Sequence, residues 1–559
     1  MAASSRTETA DRSGMVLIVV LIVIAFLSLA AYGFSDLMLV EYEATKLNGN
    51  RLQAQSAAES GVALVETVLQ QDPTLLMESG GLYSNPALFQ GRPVSQSTAD
   101  AELPMFTLAA PALDELGYHQ GIRYGVENES ARLNVNILPE LESQYEGAGI
   151  ALLMALPGMT EDVADAILDW IDEDDEPREL GAEIDTYATL DPPYQPKNGP
   201  LESVEELLLV YGVTPTLLFG VDANRNYMTD SYEPDPSMIA AEVDNTDGSL
   251  NLGWSAYLTI YSQESNMNSL GEPKIDLNGE DLEALHTDLL EFIDEELADF
   301  IILYRQNGPS PDDNPPASRG GPSPSIDFQT EASDEGKIGS PLDLVGATIS
   351  VSTGGGGSGG GRNSRGGSTR TIESPLTEDP FTTGPILEIL MLETTTTTGE
   401  TVPGKLNINQ CPAVLLQGLL AAVNVIAQSQ LEAVAGVGGG AIADSEEMEE
   451  LNFQLVSDML SMRAPEPTGE YESQGVATWL WADGLVDLQM MKLMMPLITA
   501  GGDVYRVQAV GYLEQGGPVS RLEVILDNAG TSMRIRSWRD LSSLGKGYTP
   551  EMLGSFVTE

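Results

Sequence analysis

The run Asp222-Ala-Asn224-Arg-Asn226-Tyr-Met228-Thr-Asp230-Ser-Tyr-Glu233 carries oxygen side chains at the first, third, fifth, ninth and twelfth positions of a twelve-residue loop. Calcium loops of the EF-hand kind have that spacing, with a main-chain carbonyl at the seventh position, here that of Met228, because the ion gathers many oxygens around one tight turn. Two features depart from the pattern. Tyr227 stands where such a loop wants glycine, and Pro234 and Pro236 interrupt the helix expected after Glu233. A second acidic set, Asp172, Asp174, Asp175 and Glu176 with Glu183 further on, is dense enough in carboxylate for the same ion, with Arg178 among them to neutralise part of the charge. The plainer reading of either stretch is a solvated polar turn.

Other chemistry has little to work with. The chain has two histidines, His119 and His286, and one cysteine, Cys411, which excludes an internal disulfide and a cysteine zinc site. Gly356-x-Ser358-x-Gly360 has the outline of a nucleophile elbow, but a glycine tract generates it without the strand, turn and helix that such a serine needs. Paired carboxylates suit glycoside hydrolysis, yet 85 Asp and Glu residues make chance pairs inevitable. Met490, Met491, Met494 and Met495 beside Trp479 and Trp481 read as a packing face. With 26 Lys and Arg, the net charge of the 559 residues is −59, which argues against nucleic acid, whose binding requires cationic side chains. A non-catalytic protein is expected.

The elements that would position these residues begin with residues 15–35, uncharged and long enough to span about 30 Å of hydrocarbon as a helix. No proline interrupts from Met15 to Gln71, and the apolar spacing after Arg51 stays helical, so one long helix is predicted, apolar first and amphipathic after. Residues 72–118 read as loop and short strand, residues 121–136 as a half-buried strand with a turn, and 503–527 as a hairpin. Residues 152–171 have the layout of a helix–hairpin–helix around Pro157-Gly158, with acids where a DNA-binding version has bases. A short unit of basic, aliphatic, Asn/Asp, aliphatic, Asn recurs at 132–136, 274–278 and 405–409, each before helix-forming sequence, and its last asparagine suits an N-cap. Between 308 and 384 Gly, Pro, Ser and Thr dominate, which predicts a linker with a small packed piece near 338–351.

The polar leader ending in Gly14, the apolar helix directly after it and the continuation through Ala57-Ala-Glu-Ser-Gly61 resemble the signal of type IV pilins and type II secretion pseudopilins, whose peptidase cuts after the glycine, here between Gly14 and Met15. Major subunits carry Glu at the fifth mature position; Val19 in its place resembles minor pseudopilin K. The block from Asp169-Trp-Ile-Asp to Leu190-Asp-Pro-Pro-Tyr and on through Gly199-Pro-Leu-Glu is similar to that family's most characteristic stretch.

The resemblance implies an α+β fold: a long transmembrane and amphipathic helix, a pilin-like antiparallel sheet and a large inserted helical domain, here with repeated subdomains. The expected divisions are a leader at 1–14, the stem helix at 15–71, the β domain at 72–136 and 503–530, helical subdomains at 137–240, 241–306 and 385–502, a linker at 307–384 and a tail at 531–559. It further implies a minor pseudopilin at the tip of the secretion pseudopilus, calcium in the acidic helical domain, and a single pass through the inner membrane with the bulk in the periplasm. The expected partners are other minor pseudopilins, the inner-membrane secretion machinery and exported proteins. A membrane-anchored extracytoplasmic hydrolase and a pilin-like binding or adhesion protein are the competing readings.

Overall fold

The computed structural model describes residues 13–71, 73–95, 103–234, 245, 248–268, 270–310, 326–353, 368–435, 445–467 and 469–554. Helix α1, Ser13–Leu69, runs without a break. Its first half is long and apolar enough to cross a membrane, and none of that apolar window is buried in protein. From Ala54 on, one face turns inward. Ala58, Val62, Val65 and Val68 pack against Phe106, Leu108, Val507, Val524 and Leu526 of a sheet. Close approach is possible because Gly511 has no Cβ; one there would collide with the Ala54 carbonyl.

The sheet is antiparallel. Its strands are β1 (Arg92–Pro93), β2 (Pro104–Leu113), β3 (His119–Tyr124), β4 (Glu127–Asn128), β5 (Val504–Leu513), β6 (Ser520–Asp527) and β7 (Arg534–Asp540). The order is β1-β2-β5-β6-β7, with β3 also on β2 and β4 also on β5. The long insert between β4 and β5 is mainly helical.

Two stretches differ from expectation. Within the stretch read as loop and short strand, Pro104–Leu113 form a ten-residue interior strand of the sheet; Pro111 falls where the pairing with β3 shifts register, so the missing N–H costs no regular ladder bond. Residues 534–540, read as tail, form the edge strand, and Tyr548 and Leu553 beyond it pack on the sheet.

In the insert, α2 (Ala148–Met154) and α3 (Glu161–Ile171) are joined across Pro157-Gly158, where Gly158 takes φ +68°. Further along stand α4 (Leu282–Leu289), α5 (Glu295–Asn307), α6 (Pro380–Glu393), α7 (Ala413–Ala435), α8 (Ser445–Met462) and α9 (Leu488–Met494). They share one apolar core, in which Trp254 and Trp479 are fully enclosed. Met491 and Met494 lie in that core.

Inside the Gly-rich stretch, residues 348–353 and 368–373 pair as a hairpin, while 311–325 and 354–367 lie outside the described residues. The recurring unit does not cap helices with its last asparagine. Asn136 and Asn278 instead hydrogen-bond distant backbone, at Leu201 and Ile338.

Candidate functional site

The expected processing point lies at the start of α1: Gly14 and Met15 are both within that helix, and residues 1–12 are outside the described ones.

The loop after the short helix Pro215–Phe219 closes on itself. Asp222 accepts the Asn226 amide at 3.0 Å and the Tyr227 amide at 2.8 Å, and Glu233 accepts the amides of Asn224 at 3.3 Å and Asp230 at 2.9 Å. Tyr227 takes φ +64° and Arg225 φ +56°. The position where glycine was missing is thus in the left-handed conformation that glycine favours, at a cost of about 1–2 kcal/mol for a side chain.

Asp230 Oδ2 accepts from Asn224 Nδ2 at 2.7 Å and Asn226 Nδ2 at 2.9 Å, so five of the six predicted residues converge through side chains. Met228 is tied in by its amide, which donates to Asn226 Oδ1 at 2.9 Å. Burial pushes the Asp222 carboxyl up to about 6 against the pull of its two amide donors.

The loop is also pinned to the sheet. Arg521, wholly buried on β6, donates to the Asn224 carbonyl at 2.8 Å and the Arg225 carbonyl at 2.7 Å, and Gln508 on β5 donates to Arg225 at 3.0 Å. Most of the loop's donors and acceptors are therefore satisfied internally. The exceptions are Asn224 Oδ1 and the Tyr227 hydroxyl, both buried without a hydrogen-bond partner among the described residues.

The second acidic set is less satisfied. After α3, Asp172 Oδ1 and both carboxylate oxygens of Glu183 are buried without a hydrogen-bond partner among the described residues, as is Asn198 Oδ1. Desolvation and then the charges of Asp174 and Asp169 push the Asp172 carboxyl up to about 6, and desolvation with Asp172 raises that of Glu183.

Arg178 answers part of this, lying 3.6 Å from Asp172, 3.4 Å from Asp169 and 3.6 Å from Glu142. Asn198, at φ +47°, donates to the Asp174 carbonyl at 2.6 Å and to Asp175 Oδ1 at 2.9 Å. Glu176 is exposed; its amide donates to Asp174 Oδ1 at 2.9 Å.

Buried carboxylate oxygens that lack donors and repel one another suit a cation, since leaving them bare costs free energy. Asn198 and Asp169 were not among the predicted residues. The only signal for Asn198 was its place before Gly199-Pro200 in a turn.

Among the described residues no three His, Cys, Asp or Glu side chains are gathered tightly enough to hold a metal by themselves. A cation at either place would need amide and main-chain oxygens as well, as calcium accepts. In the 222–233 loop the unpartnered Asn224 Oδ1 is the oxygen free for an ion, whereas Asn226 could offer its own only by giving up the Met228 amide.

Residues 131–220 match the family model of type II secretion system protein K. The chain is 28% identical over 214 residues to type II secretion system protein K of Pectobacterium carotovorum subsp. carotovorum, and 29% over 206 residues to that of Klebsiella pneumoniae. Each alignment takes in 36% of this chain and 59% of the relative. The chain thus spans about 59% of the length of the curated relatives it matches.

A solved chain in the GspK-GspI-GspJ complex from enterotoxigenic Escherichia coli is similar at TM-score 0.33 and 10% identity, over 89% of this chain and 99% of that one. The matched segment contains α2, α3 and the whole second acidic set, which is where the fold is built around Trp170 and Tyr187. Over residues 131–220, then, the chain is similar to the type II secretion system protein K family.

Proposed function

We propose that this protein is a non-catalytic minor pseudopilin at the tip of the type II secretion pseudopilus, supporting export across the outer membrane. The observation that carries the reading is the protein K match over residues 131–220. The apolar half of α1 would lie in the inner membrane before assembly, a single pass with the sheet and helical insert in the periplasm. Once assembled it would pack against the helices of other minor pseudopilins. An uncharged Val19 agrees with this: a carboxylate at that depth is costly without a partner, and a subunit with nothing above it has none to meet. The insert's bulk gives the steric reason for a tip position. Inner-membrane secretion machinery and exported proteins are the further partners of this reading.

Calcium is proposed at both acidic places, held by Asp172, Glu183 and Asn198 with Asp174 and Asp175 in one, and by Asp222, Asn224, Asn226, Asp230, Glu233 and the Met228 carbonyl in the other. Bound there, the ion would offset carboxylate repulsion and fix loops next to the sheet.

Mass spectrometry of the mature N-terminus tests the processing. A chain starting at Met15 is expected, and a start near Tyr32 would be that of a cleaved secretory protein instead. Co-purification with other minor pseudopilins tests the assembly; a chain that stays alone when all are co-expressed would sink the tip assignment.

A further inference from the structure

The three short units with the pattern basic, aliphatic, Asn/Asp, aliphatic, Asn do the same work three times. In each, the middle residue turns the chain: Asn134, Asp276 and Asn407 accept the amide two residues on, at 3.1, 2.8 and 3.0 Å. In each, the same two residues form a parallel bridge to a later segment: Leu133–Asn134 to Leu258–Thr259, Ile275–Asp276 to Thr394–Thr395, and Leu406–Asn407 to Ile498–Thr499.

In each, the final asparagine reaches a segment 65, 60 or 65 residues later. Asn136 donates to the Leu201 carbonyl at 3.0 Å and accepts its amide at 2.8 Å. Asn278 does the same with Ile338, at 2.8 and 2.9 Å. Asn409 donates to Gln474 at 2.9 Å and takes the Trp479 indole N–H, at 3.1 Å, in place of the amide.

The basic residue recurs as well. Arg132 donates to the Ser255 carbonyl at 2.7 Å and Lys274 to the Met391 carbonyl at 2.9 Å, each just ahead of its bridge partner. Between unit and clasp stand helices every time: α2 and α3 in the first copy, with the shorter segments Leu138–Gln144 and Ile184–Tyr187 beside them, α4 with α5 in the second, and α7 with α8 in the third. A primary amide matches the N–H and C=O of one extended residue as donor and acceptor together, as in the first two copies, and an asparagine clasp at near-constant spacing, with the same parallel bridge and helices between, is the signature of a repeated supersecondary unit.

The middle unit has a further property. The strands leading into it and out of it, Gln263–Ser265 and Thr401–Pro403, pair antiparallel with Ser265 opposite Thr401. The chain therefore leaves and returns at one place. The stretch aligned with the Pectobacterium relative is 36% of this chain but 59% of that one, so the relative is the shorter protein.

We infer that residues 132–499 are three copies of one helical module, each closed by its own asparagine clasp, with the middle copy, residues 266–400, inserted as a removable unit. Asn136, Asn278 and Asn409 are positioning residues that hold the far segment of their own copy onto its helix pair.

Hydrogen exchange on the full chain in detergent tests this. Asn278→Ala is expected to speed exchange in 282–307 and 338–344 by on the order of ten- to a hundredfold, from the loss of one buried paired amide, and to leave 148–171 and 413–431 at wild-type rates. Asn136→Ala should do the reverse between the first and middle copies. Acceleration shared equally by all three copies, or absent from the middle one, overturns the proposal. Should Asn278→Ala fail to fold, a chain with Ser265 joined to Thr401 through an Asn-Gly turn decides it. If that chain folds and keeps the segments around Asn136 and Asn409 protected, the inference stands, and if it does not fold the inference falls.

Discussion

His119 shows how a single residue turns position into pH dependence. Both its ring nitrogens are buried without a hydrogen-bond partner among the described residues, its ring lies 5.2 Å from that of Tyr257, and Arg132 and Arg123 are near. Burial first, then those two guanidiniums, lower its pKa from the ordinary 6.5 to about 3. The folded state then binds fewer protons than the unfolded one between these values, so the histidine's contribution is whole above about pH 6.5 and is lost as pH falls toward 3. One proton of difference corresponds to about 1.4 kcal/mol per pH unit. His119→Phe should therefore flatten the acid side of a urea-denaturation profile by up to that slope while changing stability at neutral pH far less; parallel wild-type and variant profiles from pH 4 to 7 would exclude the argument.

Asp172 has the opposite sign. Its pKa is raised from 3.8 to about 6, so without a cation its contribution is complete below about pH 4 and is lost as pH rises through 6. Asp172→Asn should thus melt higher than wild type in chelator at neutral pH, and show a smaller calcium-induced melting shift than wild type, the remainder coming from the 222–233 loop. An unchanged calcium shift in the variant would remove Asp172 from the ligand set.

At the scale of elements, what the sequence made legible divides along physical lines. The stem helix was readable because hydrophobicity and the absence of proline are local properties of residues 15–71. The β5–β6 hairpin was readable from alternation and a Gly-Gly turn. The length and interior place of β2 were not, since its stretch read as loop and short strand and only the tertiary register explains why Pro104 and Pro111 are tolerated. The calcium-loop spacing was visible, but the conformation of Tyr227 that answers for the missing glycine was not, because one side chain's backbone angle is set by the Asp222 acceptor and the sheet beneath. Asn198 escaped for the same reason: its partners, Asp174 and Asp175, are brought near only by the fold.

Contact between α1 and β5 is the element-level feature most exposed to a single change. Gly511 lies directly under Ala54 and Ala58, and a Cβ there meets main chain on both sides rather than a movable side chain. Gly511→Ala should cost about 1–3 kcal/mol as the helix lifts from the sheet. Near-ultraviolet circular dichroism during a thermal melt reads this, and membrane insertion, which depends on the first half of the helix, should be unaffected. A variant as stable as wild type would mean that the helix and sheet are not held at this distance.

For the whole molecule, two kinds of electrostatics act in opposite ways, and salt separates them. The insert docks on the sheet through a buried ion network: Arg506 reaches Glu129 at 2.6 Å and Glu523 at 3.5 Å, Arg132 reaches Glu127 at 2.6 Å, and Arg539 on β7 pairs with Glu205 of the insert. Glu129 is wholly buried, and its carboxyl is held below the ordinary range by Arg506 and Arg132 despite desolvation. Arg506→Ala would take from buried Glu129 its one direct ion pair, leaving it Arg132 and the Thr259 hydroxyl, and would leave Glu523 only Arg539 at 3.8 Å, a loss of roughly 3 kcal/mol. Burial shields that network from mobile ions, so the loss should barely change with ionic strength.

The surface behaves otherwise. A net charge of −59 repels itself over distances that screening reaches, with a Debye length near 10 Å at 0.1 M salt and about 3 Å at 1 M. Monovalent salt should therefore raise the melting temperature of wild type and Arg506→Ala in parallel, whereas calcium, if it occupies the acidic loops, should act at far lower concentration and be abolished by chelator rather than mimicked by sodium. A wild-type melting temperature that falls as sodium chloride rises would mean that attractive surface pairs, and not like-charge repulsion, dominate the stability of the acidic head.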